Sequence, residues 1–300
     1  MSILKLETAG RIVRAAGLIA CLLGLGVSLT AAPILVGITA NSQIVQIDPL
    51  TGVGTAAATL NGDYNPLGIA WNGSSLYVYG QNAGDLRQVT DLATGATSLV
   101  ATPLASLPAT GGFIPTKGDL TYYGGNFYIG STALADGSFD PSFGSFFSVA
   151  DASGYAAAQV DSGAFPKVGG LAFNGAGVLY GLDQFGNTLY TISSSTGNVT
   201  SSVSLTGPGL DPNDTVGGLI FGSDGVLYAA ISANGVSSEW FAINPGTGVV
   251  TDVGSIGNYD IVGLALLGAP PTPIPEPGSF ALIGTGAFAF FVLRRRRVNR

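Results

Sequence analysis

The side chains able to do chemistry in this chain are mostly aspartates, and what does not accompany them narrows the choice. The sequence has no histidine and a single cysteine, Cys21. Zinc centres of Cys and His, Ser–His and Cys–His nucleophile pairs and Cys-x-x-Cys redox pairs are therefore excluded. Neither a GxxxxGK[ST] phosphate loop nor a GxSxG elbow occurs. What remains is oxygen chemistry. Asp136-Gly137-Ser138-Phe139-Asp140 and Asp211-Pro212-Asn213-Asp214 are the best local candidates for Ca²⁺, a hard cation that takes oxygen ligands. Neither has the spacing of an EF-hand or of a glycine-aspartate nonapeptide, and Asp, Asn and Gly are equally what turns are made of. Two carboxylates would serve a hydrolase only if they faced each other across a cleft, which spacing in sequence does not decide. No catalytic, cofactor or metal residue is assigned on these grounds.

The elements that must position these aspartates are organised by a repeat. Its clearest copy runs from Gly169 to Leu205. Gly-Gly leads into Leu171-Ala172-Phe173, the turn Asn174-Gly175-Ala176-Gly177 follows, and then come Leu179-Tyr180, Leu189 to Ile192, a Ser-Thr-Gly turn and Val199 to Leu205. Asn-Gly and Thr-Gly between short β-rich runs mark hairpins, because Gly and Asn tolerate the positive φ those turns need. The reference positions Ile69, Leu120, Leu171, Leu219 and Leu264 are separated by 51, 51, 48 and 45 residues. Four strands in each ~40–50 residues is the period of a propeller blade. The last copy, Ile261 to Leu267, supplies only a first strand. Ile34–Thr39, Gln43–Ile47 and Thr55–Leu60 supply the missing three, since IVQIDPLTGVGT resembles LYTISSSTGNVT and WFAINPGTGVVT. The expectation is an all-β, five-bladed β-propeller over residues 33–268, with one blade built from both ends of the body, which removes the exposed sheet edges.

This geometry sorts the loops. Turns between strands one and two, and between three and four, share one face and are short. The other face carries the connections Ala101 to Lys117, Gly130 to Ser145 and Thr206 to Thr215. It is expected to hold Asp63, Asp85, Asp136, Asp140, Asp161, Asp183, Asp211, Asp214 and Asp260, with Phe139, Phe143, Phe146 and Tyr259 in or beside it. Long loops on a rigid scaffold are where binding usually sits.

Between Pro33 and Pro277 three cations (Arg87, Lys117, Lys167) stand against seventeen anions, a net charge of −14. That argues against a nucleic-acid partner, which needs clusters of Lys and Arg. Glycine, 46 of 300 residues, is about twice its average usage, as many tight turns require.

Residues 1–32 read as a signal peptide. Lys5, Arg11 and Arg14 precede the apolar run Ala15 to Leu29, and Ser28 to Ala32 are small. Leu18-Ile19-Ala20-Cys21 loosely resembles a lipobox, but it lies only six residues from Arg14 and the apolar run continues past it. At the other end, Ala269 to Pro277 is a Pro-rich spacer, Gly278 to Leu293 is apolar and uncharged, and Arg294, Arg295, Arg296 and Arg297 follow. A Pro-rich spacer stands extended. Sixteen apolar residues lie near the lower limit of ~17 for a membrane span, and the arginines mark its cytoplasmic end.

This tail closely resembles the PEP-CTERM sorting signal of Gram-negative bacteria. The parts that match are Pro275, Glu276 and Pro277, the apolar stretch Ser279 to Leu293, and Arg294 to Arg297. The resemblance implies an exosortase as partner, cleavage near the Pro-Glu-Pro triplet, and delivery to the cell surface or exopolysaccharide matrix. A plain single-pass anchor is the competing reading. The tail is carried by many unrelated folds and says nothing of what the body does. For the body, the expectation is a non-enzymatic surface protein that binds glycan or protein through the long-loop face. The alternatives are an extracellular hydrolase or lyase using Asp and a divalent metal, and a passive structural protein.

Overall fold

The computed structural model describes residues 32–268, apart from 63–64, 81–84, 91–97, 107–117, 133–142, 152–153, 162–164, 208–213 and 234–236. Two compact units, Met1–Ala32 and Pro33–Arg300, divide the chain, and every described strand belongs to the second. Residues 1–31 of the expected signal peptide and the apolar stretch 278–293 lie outside the described residues.

The body is a five-bladed β-propeller of four-stranded antiparallel blades. β1 (Ile34–Thr39), β2 (Gln43–Ile47) and β3 (Gly54–Asn61) belong to the closing blade. The next blade holds β4 (Pro66–Trp71), β5 (Leu76–Gly80), β6 (Asp85–Val89) and β7 (Ser98–Ser106). The second has β8 (Gly118–Tyr123), β9 (Asn126–Ser131), β10 (Phe143–Ala150) and β11 (Ala157–Gln159), with β12 (Phe165–Pro166) also paired to β10. β13 (Val168–Phe173), β14 (Leu179–Asp183), β15 (Thr188–Ile192) and β16 (Val199–Ser204) form the third blade. β17 (Thr215–Phe221), β18 (Leu227–Ala233), β19 (Ser237–Ile243) and β20 (Val250–Ser255) form the fourth. β21 (Ile261–Leu267) closes the ring by pairing antiparallel with β1, from Ile34↔Leu267 to Thr39↔Ile261. The split blade expected from the sequence is therefore present, strand for strand.

Packing confirms the count. There is one hydrophobic cluster for each of the five blade interfaces. Leu35, Val45 and Ile47 of the closing blade meet Tyr228, Ala230 and Trp240 of the fourth. On the opposite side of the same blade, Val36, Ile38 and Ile44 meet Ile69, Leu76 and Val78. Successive residues of β1 thus serve opposite neighbours, as the two-residue period of a strand requires. The other three interfaces are filled in the same way.

The glycine signatures have two physical origins. In the inner strands, a Cβ on Gly68 would lie 2.5 Å from the Leu120 nitrogen, and one on Gly263 would lie 2.7 Å from the Gly68 Cα. Where neighbouring inner strands approach this closely, no Cβ fits at Gly68 or Gly263. In the outer hairpins the glycine of the Thr-Gly pair takes a left-handed φ, 77° at Gly52 and 73° at Gly248. The Gly52 N–H donates to Asp48 O and the Gly248 N–H to Asn244 O, both at 2.8 Å. The side chains of Asp48 and Asn244 accept from Leu50 N and Gly246 N at the head of each turn.

The expected loops need correction at their ends. Ala101 to Ser106 is strand, because β6 continues to pair with β7 over these residues. Over Ser98 to Val100, β7 also pairs parallel with β3 of the neighbouring blade. Pro103 is tolerated on this outer strand because its missing N–H removes no bond from an inner ladder. Gly130, Ser131 and Phe143 to Ser145 are likewise strand. The long-loop face also carries short connections, such as Gln184 to Asn187.

Candidate functional site

Each inner strand reaches the short-turn face two residues after its reference position. Those residues are Trp71, Tyr122, Phe173, Phe221 and Leu266, one per blade. Each packs its outer part against a different blade interface: Trp71, Tyr122, Phe173, Phe221 and Leu266 in turn against the five clusters. All five are half-buried, and together they line a funnel of about 270 Å³ on the propeller axis. Ile69, Leu120, Leu219 and Leu264 lie deeper in it, and Asn72 and Asn174 stand at the rim. Ring contacts hold the wall in shape. Tyr123 stacks on Phe173 at 4.7 Å, and Tyr122 leans on Phe127 at 4.8 Å.

A polar group borders the funnel beside Tyr122. The Asn72 amide donates to Asp151 Oδ2 at 2.9 Å and to the Tyr77 hydroxyl at 3.2 Å, and the Tyr77 and Tyr155 hydroxyls lie 3.2 Å apart. Asn72 Oδ1 is committed to Ser74 N and Ser75 N of its own turn. Burial, then the Tyr155 and Asp151 neighbours, raise the Tyr77 pKa, and burial with Asp151 raises that of Tyr122. Both phenols therefore stay neutral hydrogen-bonding groups.

One step below the funnel floor is Asp119, fully buried. Four inner strands carry glycine at its place: Gly68, Gly170, Gly218 and Gly263. Asp119 alone sends a side chain inward. Oδ1 accepts from the Leu120 N–H and Oδ2 from the Leu171 N–H of the next blade, both at 2.8 Å. Burial pushes its pKa well up, against the pull of main-chain donors from Leu171, Leu120 and Leu219. Its carboxyl joins three inner strands at the axis.

The residues singled out from sequence scatter differently. Asp63, Asp136, Phe139, Asp140 and Asp211 lie outside the described residues, as do Pro275, Glu276, Pro277 and Arg294 to Arg297. Of the two segments considered for Ca²⁺, only Asp214 is described, and it is buried. No group of three or more His, Cys, Asp or Glu gathers to hold a metal among the described residues. Asp85 is bound by the Arg87 Nε at 2.8 Å. Asp161 accepts from the Phe146 N–H at 2.6 Å, and Asp183 from Phe185 N and Asn187 N in its own turn. Burial raises the pKa of Asp183. Asp260 lies beside Tyr259, which is half-buried. Phe143 is 40% exposed, but Phe146 is wholly buried between the second and third blades and belongs to no surface. Where described, three aspartates of the expected acidic face are held separately: Asp85 by Arg87, Asp161 by a β10 main-chain N–H and Asp183 by its own turn.

Residues 273–297 match the PEP-CTERM protein-sorting motif. The PEP-CTERM tail makes this an exported protein with a C-terminally membrane-anchored precursor sorted by an exosortase. No curated protein matches the chain. Three solved structures are similar over most of its length. One is from the crystal structure of a nidogen/laminin complex, 11% identical with TM-score 0.49, covering 81% of this chain and 100% of that one. One is a protein of unknown function from Bacteroides caccae, 12% identical with TM-score 0.43, covering 74% and 72%. One is luciferin-regenerating enzyme, 13% identical with TM-score 0.45, covering 83% and 87%. At this identity and TM-score they carry no statement about ligand or activity.

Proposed function

We propose that the body is a non-catalytic binding propeller that takes extracellular glycan into its axial funnel. It would be displayed on the surface, or in the exopolysaccharide matrix, of a Gram-negative bacterium. The observation that carries this reading is the wall of Trp71, Tyr122, Phe173 and Phe221, edged by the Asn72–Asp151 pair. A sugar ring offers apolar C–H faces to aromatic rings and hydroxyls to a carboxylate and an amide. Ligand sites are concave, mostly apolar, and carry a few placed polar groups. The volume is at the small end of such sites, which suits one or two sugar rings. The reading moves the ligand from the long-loop face to the short-turn face, because Asp85, Asp161 and Asp183 of the former are held by Arg87 and main-chain N–H groups, whereas the aromatic side chains gather on the latter. The non-catalytic part is supported by the axial carboxylate: Asp119 is single, and its two oxygens are held by main-chain donors.

The test is titration calorimetry of the full-length protein in detergent with exopolysaccharide from the host and its oligosaccharides. Tyr122→Ala and Asp151→Asn should each weaken binding about tenfold or more, 1.4 kcal/mol, with far-ultraviolet circular dichroism and cooperative melting retained. Loss of binding on changing Thr206 to Thr215, with Tyr122→Ala neutral, would return the site to the long-loop face. Release of reducing ends by the wild-type protein would make it an enzyme.

A further inference from the structure

The chain leaves the propeller at the funnel itself. Leu266 lines the funnel, Leu267 ends β21, and the Gly268 carbonyl accepts a hydrogen bond of 2.7 Å from Trp71 Nε1. Pro33 lies against Gly268, 3.1 Å from where a Cβ there would be. Both ends of the described body therefore meet at the short-turn face. The next nine residues are Ala-Pro-Pro-Thr-Pro-Ile-Pro-Glu-Pro. Such a segment favours polyproline II, a stiff helix without internal hydrogen bonds whose carbonyls stay free to accept. Proteins recognise it with aromatic-lined grooves, its prolines seated on the rings. Here an indole N–H already holds the carbonyl just before the prolines, and the aromatic groove begins at that same indole.

We propose that segment 269–277 is the resident occupant of the axial funnel, docked on Trp71, Tyr122 and Phe173. The proposal rests on the funnel being the ligand site and makes the linker its internal competitor. A tethered segment acts at an effective concentration in the millimolar range. Only a ligand that outcompetes it, such as a multivalent polysaccharide, enters. The seated linker also holds Pro275-Glu276-Pro277 close to the body, where the sorting enzyme meets it in one place rather than on a free tether.

The sequence supplies its own probe. It has two tryptophans, and Trp240 is fully buried between blades, so collisional quenching reports on Trp71. The experiment compares acrylamide quenching of the full-length protein in detergent with that of a variant carrying Pro270→Ser, Pro271→Ser and Pro273→Ser. These changes lie outside the propeller and leave the Pro-Glu-Pro triplet intact. Docking predicts several-fold stronger quenching in the variant, restored towards the wild-type value by a free peptide of sequence 269–277. Equal quenching in the two proteins overturns the proposal. Protection that follows protein concentration, or detergent chain length, overturns it in favour of a second copy or an amphiphile. Tyr122→Ala should raise quenching with the native linker but not with the serine linker; an equal rise in both also overturns it. No glycan is present in any arm, so the outcome is separate from that of the glycan test. If both readings hold, the serine variant binds oligosaccharide more tightly than the wild type.

Discussion

Asp119 offers the sharpest test of how the axis is built. Replacing it with alanine removes two acceptors at once and leaves the Leu120 and Leu171 N–H groups, each donating at 2.8 Å, without partners. A buried donor left unpaired costs about 1–3 kcal/mol, so Asp119→Ala should destabilise by about 2–6 kcal/mol. Asp119→Asn keeps one acceptor and turns an amino group towards the other donor, so about 1–3 kcal/mol is expected from the same cost. For a body of this size 1 kcal/mol is about 2–4 °C in melting temperature. Calorimetric melting of the full-length proteins gives the numbers. Asp119→Ala within about 0.5 kcal/mol of wild type, an ordinary surface change, would refute the axial clasp.

The same pair gives a pH dependence. Burial raises the pKa of Asp119 in the folded protein, against about 3.9 when unfolded. The protonated form thus favours folding. Its contribution is complete below about pH 3.9 and is lost as the pH rises through the folded pKa. Asparagine does not titrate, so the advantage of wild type over Asp119→Asn should shrink as pH rises above about 4. An advantage that grows with pH would mean the main-chain donors outweigh burial, and the assigned direction would be wrong.

Other perturbations probe the remaining links. Tyr79 is fully buried and its hydroxyl has no hydrogen-bond partner among the described residues; Tyr79→Phe should raise the melting temperature, by up to the ~1–3 kcal/mol of an unmade bond. Gly170→Ala would push a Cβ to 2.7 Å from the Leu219 Cβ and 2.9 Å from its nitrogen, and thermal melting should show a loss of about 1–3 kcal/mol, as for overpacking. Deleting Ile261 to Leu267 removes the partner of β1 and part of two interface clusters; cooperative unfolding should vanish, and an unchanged melting temperature would contradict closure. Tyr228 donates to Asp224 at 2.8 Å, and burial, then that carboxylate, pushes its pKa up to about 12; spectrophotometric titration should find it ionising late, and less late, though still raised by burial, in Asp224→Ala.

The strands were legible because each left a local mark. Hairpin glycines need left-handed φ, inner glycines yield to the next blade's backbone, and the repeat shows each signal several times over. The split blade was legible because IVQIDPLTGVGT repeats a pattern found in other blades. The funnel was not. In sequence Phe173 is only the end of the apolar run Leu171-Ala172-Phe173, and nothing local sets Trp71, Tyr122 or Phe221 apart. Only closure of the ring, which lies in no single repeat, brings them to one wall. Asp119 could have been found by aligning the copies, since it stands where four others have glycine. Reading loop length as the sign of a ligand face led instead to residues such as Phe146, which the second blade buries.

Closure by the two ends of the body also decides where the tail begins. A propeller closed by its C-terminal inner strand must release the chain at the axis, on the face where inner strands finish. That is the face of the first-to-second-strand turns, and here of the aromatic funnel. A sorting tail on such a closure necessarily starts beside the axial site, so the Trp71 indole reaches the Gly268 carbonyl without any dedicated loop. Had the closing strand been an outer one, the same tail would have left from the rim and had no access to the funnel. The strand order that seals the propeller therefore also starts its sorting segment beside the funnel that the five blades share.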